Sequence, residues 1–168
     1  MTQLPNWFNE MQKTALDKMK TLALPKADGT VIKKWAFDQP EMRQEMKVNQ
    51  EDVLSALTFL NDEAEKNMMI VCDGEIIYKK LTEAFDGVTI ATLEEALTTY
   101  EELFKSHLMS VVPMEENQLV ATNVAHLNSG LFNHIPKNKV IEECLTVIYV
   151  QMNGSLMNRT LVVAEPNS

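Results

Sequence analysis

The chain has 168 residues, 45% of them hydrophobic and 23% charged, with a formal net charge of −9 and a pI near 4.8. Such a length and composition suit a globular fold of one domain or two small ones and exclude a chain too polar to bury a core. The acidic balance, with no basic stripe against it, would repel a nucleic-acid backbone, and no apolar run approaches the roughly 18 residues that a membrane span requires.

The opening Met1-Thr-Gln-Leu-Pro-Asn-Trp-Phe-Asn-Glu10 has neither a basic nor an apolar leader region, so no signal peptide is expected and the cytoplasm is the expected location. Trp7, Met11, Ala15, Met19 and Leu22 then recur at helical spacing, predicting a helix over 7–22 with Pro5 in its first turn. Leu24-Pro25 and Asp28-Gly29 end it. Ile32, Trp35 and Phe37 are large anchors in a less regular stretch, and Pro40 opens either a short helix or a loop. Asn49 is placed to cap a helix carrying Val53, Ala56, Leu57 and Leu60, whose acidic residues read as a solvated face.

Residues 68–78 read as strand, tight turn and strand, with Asp73-Gly74 suited to a type I′ turn because both central residues need positive φ. A short extended run follows at 88–90. Thr92 and Glu95 form a capping box ahead of one helix through Leu93, Leu97, Phe104 and Leu108, which Pro113 stops. Leu119, Val120, Asn123, Val124 and Leu127 mark another helix, with Gly130 positioned to end it in the left-handed conformation. Beyond it come only β-prone runs, at 131–135, 140–141, 145–151 and 160–164, broken by Pro136-Lys137-Asn138 and Asn153-Gly154-Ser155. No repeat of fixed period is visible.

No phosphate-binding glycine loop, His-Glu-x-x-His, Cys-x-x-Cys or Gly-x-Ser-x-Gly occurs. Cys72 and Cys144 each sit in an apolar run and are expected to be small buried hydrophobes rather than reactive thiols. His107, His126 and His134 show no ligand spacing, and no histidine-based hydrolase motif supports them. The methionines at 11, 19, 42, 46, 68 and 69 fall at helical or core spacing and read as packing. The catalytic, cofactor and metal sets are therefore empty.

Leu127-Asn-Ser-Gly-Leu-Phe-Asn-His-Ile-Pro-Lys-Asn-Lys-Val-Ile-Glu142 resembles a segment of the SufB/SufD family, in which a helix end, an Asp-Gly step, a short strand and a Pro-Lys turn lead into the core. Arg159-Thr-Leu-Val-Val-Ala-Glu-Pro-Asn-Ser168 resembles a strand of the same family. Leu4-Pro-Asn-Trp7, Trp35-Ala-Phe-Asp38, Cys72-Asp-Gly-Glu-Ile76 and Thr92-Leu-Glu-Glu-Ala-Leu97 match in order and spacing, and Ser129-Gly130 departs from the usual Asp-Gly.

The resemblance implies an α+β fold: a mainly helical N-terminal domain with a small β-hairpin (1–112), then a helix and the first rungs of a right-handed parallel β-helix (113–168). It implies a non-enzymatic scaffold role in iron–sulfur cluster assembly with SufB- and SufC-like partners, the cluster belonging to the wider assembly and none being bound by this chain. The expected alternative is a self-standing interaction domain, a truncated paralogue without that role. Family members run to about twice this length or more, so the solenoid is expected to be unfinished. Leu145, Val147, Tyr149, Leu161 and Val163 are read as one apolar period-2 face. It is expected to meet a second copy, the rest of a longer protein, or the N-terminal helices.

Overall fold

The computed structural model describes residues 4–26, 29–35 and 66–168, together with 49, 51, 53 and 55. Expectations for Phe37, Pro40, Met42 and Met46, for the side chain of Trp35, and for most of the helix after Asn49 lie outside these residues. Where that helix is described, Asn49 Oδ1 accepts from the Glu51 N–H at 3.1 Å, its carbonyl accepts from Val53, and Val53 is buried.

Helix α1 (Asn6–Met19) begins at Pro5, whose φ of −58° suits a helix start and whose carbonyl accepts from the Phe8 and Asn9 N–H groups. Its inward face is centred on Phe8 and Ala15, seven residues apart and both buried, with Trp7, Met11 and Met19 on the rim. Phe8 was hidden from the predicted stripe because Trp7 beside it competes for the same spacing.

The predicted hairpin is present as β1 (Met68–Cys72) and β2 (Glu75–Lys80). Asp73 and Gly74 between them have φ of 48° and 94°, as the turn requires. Every residue of β1 is buried, so its Met-Met-Ile-Val-Cys run is covered on both faces. After a 3₁₀ turn, β3 (Thr89–Thr92) leads into α2 (Leu93–Thr98), where the capping box forms: Glu95 N–H donates to Thr92 Oγ1 and Thr92 N–H to Glu95 Oε2.

The single helix predicted from Leu93 to Leu108 is interrupted. It stops at Thr98 and resumes as α3 (Glu101–His107), with Tyr100 between them at φ −117° and ψ 25°. Thr98 Oγ1 donates back to the carbonyl of Glu94, a bond that competes with helical pairing. The bend lets Leu97, Tyr100 and Phe104 converge on Phe132, whose ring lies 5.7 Å from that of Phe104. Helix α4 (Gln118–Ala125) starts at Asn117, whose Oδ1 accepts from Leu119 and Val120, and packs on α1 through Ala15, Val124 and Ala125.

Three strands follow: β4 (Ser129–Ile135), β5 (Thr146–Val150) and β6 (Asn158–Ala164). They complete two three-stranded sheets, one in the order β2-β1-β5 and the other β3-β4-β6. In each sheet the first pair is antiparallel and the second parallel. Both sheets thus draw strands from either side of residue 112. Met69 and Val71 of β1 meet Leu131 of β4 between the sheets, while α2 and α3 cover the outer face of β4 through Phe132.

Three sequence expectations are corrected here. Gly130 does not end a helix; α4 closes at His126, and Gly130 lies buried inside β4 with an ordinary strand backbone. What demands glycine is the neighbouring strand, since a Cβ at this position would stand 2.3 Å from the Arg159 carbonyl oxygen. Residues 140–141 form no strand and belong to the connection between β4 and β5. Cys144 is exposed in that connection rather than buried in β5, because the ladder begins only at Thr146, whereas Cys72 is buried at the end of β1.

The reading that no repeat is visible in the sequence stands, although the backbone does stack one strand on another at a fixed offset. The chain passes from the β3-β4-β6 sheet to the other sheet as β5, then returns as β6 beside β4, every residue paired 29 positions on. The turns after β4 and β6 match as well. Asn138 and Asn167 each hold φ of 64°, their side chains are hydrogen-bonded at 3.2 Å, and the Asn138 N–H donates to the Pro166 carbonyl. The period is invisible in the letters because each pass fixes little beyond inward apolar alternation and one asparagine able to adopt positive φ.

Candidate interaction surface

Strands β5 and β6 are the outer strands of their sheets at the same end of the stack, so their edges and inner faces lie side by side. The space between the sheets is filled at the level of β1 and β4, where Met69, Val71 and Leu131 are essentially inaccessible. One strand further out it opens. Leu145 and Val147 pack inward against that cluster, but Tyr149 is 39% exposed, Val162 is 57% exposed, and Thr160 and Ala164 are open to solvent. Tyr149 Oη and Thr160 Oγ1 lie 2.9 Å apart, a polar bridge between the two edge strands.

The five residues read from the sequence as one face are therefore on two. Leu145, Val147 and Tyr149 face the inter-sheet space, while Leu161 and Val163 pack on the far side of β6, in the core with Phe8, Leu97 and Phe132. Period 2 identifies which residues of one strand share a face, but not how two strands in different sheets are phased. The residues of β6 that join Val147 and Tyr149 are Thr160, Val162 and Ala164.

Polar side chains lace this end together. Asn67, buried ahead of β1, donates through Nδ2 to Glu143 at 2.6 Å and accepts from the Thr82 N–H at 2.7 Å, while its carbonyl accepts from Thr146. Thr82 Oγ1 also donates to Glu143, and these bonds hold the Glu143 carboxyl below its usual range. Asp73 accepts from the Met152 N–H, clasping the hairpin turn to the end of β5.

His134 of β4 meets Glu165 just after β6 at 3.0 Å, and the Lys137 N–H donates to the other oxygen of Glu165. The bond to His134, then that to Lys137, lowers the Glu165 pKa. Asn128 binds the Met157 N–H and the Ser155 carbonyl, spanning the same interval.

The other singled-out residues are dispersed. His126 caps the end of α4, and His107 Nδ1 sits 3.0 Å from the Leu103 carbonyl oxygen. Among the described residues no three His, Cys, Asp or Glu side chains converge as a metal would require. No helix among them is long and apolar enough to cross a membrane.

Residues 2–147 match the family described as SufBD protein N-terminal region. The chain is 27% identical over 176 aligned positions to the iron–sulfur cluster assembly protein SufD of Bacillus subtilis (strain 168), covering 99% of this chain and 40% of that protein. It is 32% identical over 98 positions to an iron–sulfur cluster assembly SufBD family protein of Staphylococcus haemolyticus, covering 55% of this chain and 21% of the relative. A Staphylococcus aureus (strain USA300) protein of the same description matches with the same identity and coverage. The chain thus spans about two fifths of the Bacillus protein's length. The order of motifs along the sequence and the match over most of its length agree: the chain belongs to the SufB/SufD family.

Proposed function

We propose that this chain is a SufD-like, non-enzymatic scaffold module of iron–sulfur cluster assembly, working in the cytoplasm with SufB- and SufC-type partners and leaving the cluster, as cargo, to the wider assembly. Its structural task is to found a parallel β-helix, with α1–α4 and the antiparallel strands β2 and β3 closing one end.

One observation carries the reading: β6 lies parallel on β4 at a constant 29-residue offset, with the Asn138 turn stacked on the Asn167 turn. Such a coil buries its faces only against a neighbouring coil, and Tyr149, Val162 and Ala164 are the residues that wait for one. The surface proposed for the next coil is Val147, Tyr149, Thr160, Val162 and Ala164, with Leu161 and Val163 supporting it from the core.

The experiment is anaerobic co-expression with SufB- and SufC-type proteins from one genome, followed by affinity capture of this chain. Recovery of either partner in fixed proportion, lost on Val162→Asp, is the expected result. Capture of neither, with the chain folded, would favour a self-standing interaction domain. A dimer by sedimentation equilibrium that Val162→Asp dissolves would assign the open end to a second copy.

A further inference from the structure

Arg159, the second residue of β6, lies on the outer face of its sheet, opposite to the inter-sheet space. Its Nε donates to Asn123 Oδ1 at 3.3 Å, and its Nη1 approaches Met109 Sδ at 3.2 Å. A guanidinium has five N–H donors and a permanent charge. A neutral amide and a thioether are weak company for it, and no carboxylate pairs with it among the described residues. Burial pushes its pKa down, as expected of a cation drawn from water without a counter-charge.

The surroundings form a cleft of about 350 Å³, walled by Leu108, Met109, Val111, Val112 and Leu161, with Arg159 and His107 among its polar residues. Val111 is 88% exposed and Val112 38%, so this valine pair contributes little to the core. Met109 holds a left-handed backbone with φ of 68° just after α3, where glycine would be the unstrained choice. Methionine there delivers its sulfur to Arg159 and its side chain to the clusters beneath α1.

We propose that this cleft receives an extended segment of a partner protein. An acidic side chain of that segment forks onto Arg159, and an adjacent apolar side chain lodges between Val111, Val112 and Leu161. Charge complementarity selects this occupant. Arg159 has no carboxylate partner among the described residues, so a single carboxylate meets a local cation there, whereas a polyanion would be repelled by the net charge of −9. A free inorganic anion would leave the apolar walls wet, whereas a peptide covers them. The proposal does not depend on further coils being present, because it concerns the outer face of β6.

The test is a titration of this chain, followed by NMR at the Arg159 Nε–H and the Val111 and Val112 methyl groups. The probes are acetyl-Leu-Glu-Leu-amide and its Gln counterpart. The expected result is saturable shifts at all three positions with the Glu peptide and about tenfold weaker binding of the Gln peptide, as loss of a charge-assisted fork implies. Arg159→Gln should remove the discrimination. Val111→Glu, at an exposed position that the fold does not need, should weaken the Glu peptide to a similar degree. Equal binding of both peptides, or no saturable shift, overturns the proposal. So does sodium acetate matching the peptide, which would mean that only a free carboxylate is read. A self-dimer abolished by Val111→Glu would overturn it in favour of a second copy.

Discussion

Replacing Gly130 by alanine tests the close approach of β6 to β4. The added Cβ would lie 2.3 Å from the Arg159 carbonyl oxygen, where ordinary contact begins near 3.4 Å, so the strands must part locally by about 1 Å. The obstacle is backbone and cannot rotate aside. Overpacking of a buried site costs about 1–3 kcal/mol, and weakening two ladder hydrogen bonds adds about 1 kcal/mol each. A loss of about 3–5 kcal/mol is therefore expected, read as a lower urea midpoint at unchanged m-value. Gly87→Ala is the control: φ there is +80° but no atom lies within 4 Å of the added Cβ, so only the left-handed penalty of about 1–2 kcal/mol applies. If Gly130→Ala lowers stability by less than the control does, the close approach of β6 to β4 is wrong. The parallel pairing argued from it would then be wrong as well.

Three further outcomes follow from the stitches between strands. Asn67→Ala removes a buried side chain that both donates and accepts, leaving the Thr82 N–H and the Glu143 carboxylate without it, and should cost about 2–3 kcal/mol by urea denaturation. Asn138→Gly should stay within about 0.5 kcal/mol of the parent, whereas Asn138→Ala should lose about 1–2 kcal/mol, because the φ of 64° suits glycine and penalises alanine. The folded state holds the Glu165 and Glu143 carboxyls below the ordinary value of 4.5, so the stability they contribute is present above that value and is lost as pH falls through the lowered pKa. The urea midpoint should accordingly fall below about pH 4.5, and Glu165→Gln should flatten that acid limb; an unchanged limb would remove Glu165 from the account.

What the letters revealed was local chemistry. Asp73-Gly74 announced its turn because few residues accept positive φ twice in a row, and Thr92 with Glu95 announced a helix start through a reciprocal bond three residues long. What they hid depended on partners far along the chain. Gly130 is needed for a carbonyl 29 residues away, so a helix-ending role was the nearest local explanation and was mistaken. Cys144 reads as strand until Glu143 is found anchored to Asn67 and Thr82, which holds the chain outside the ladder. The apolar face assigned to β5 and β6 together failed for the same reason, since sequence alternation does not phase one sheet against another. The family resemblance succeeded because it drew on the order of many weak signals rather than on any one.

The two ends of the paired sheets are chemically unlike. At one, β2 presents Glu75, Lys79 and Lys80 to solvent and runs against its neighbour. Ionic side chains on such a margin discourage a further strand from joining. At the other, β5 and β6 run with their neighbours and show Tyr149 and Val162. An incoming strand would therefore meet unequal margins: charged side chains along β2 on one side of the pair, and the apolar groups of β5 and β6 on the other.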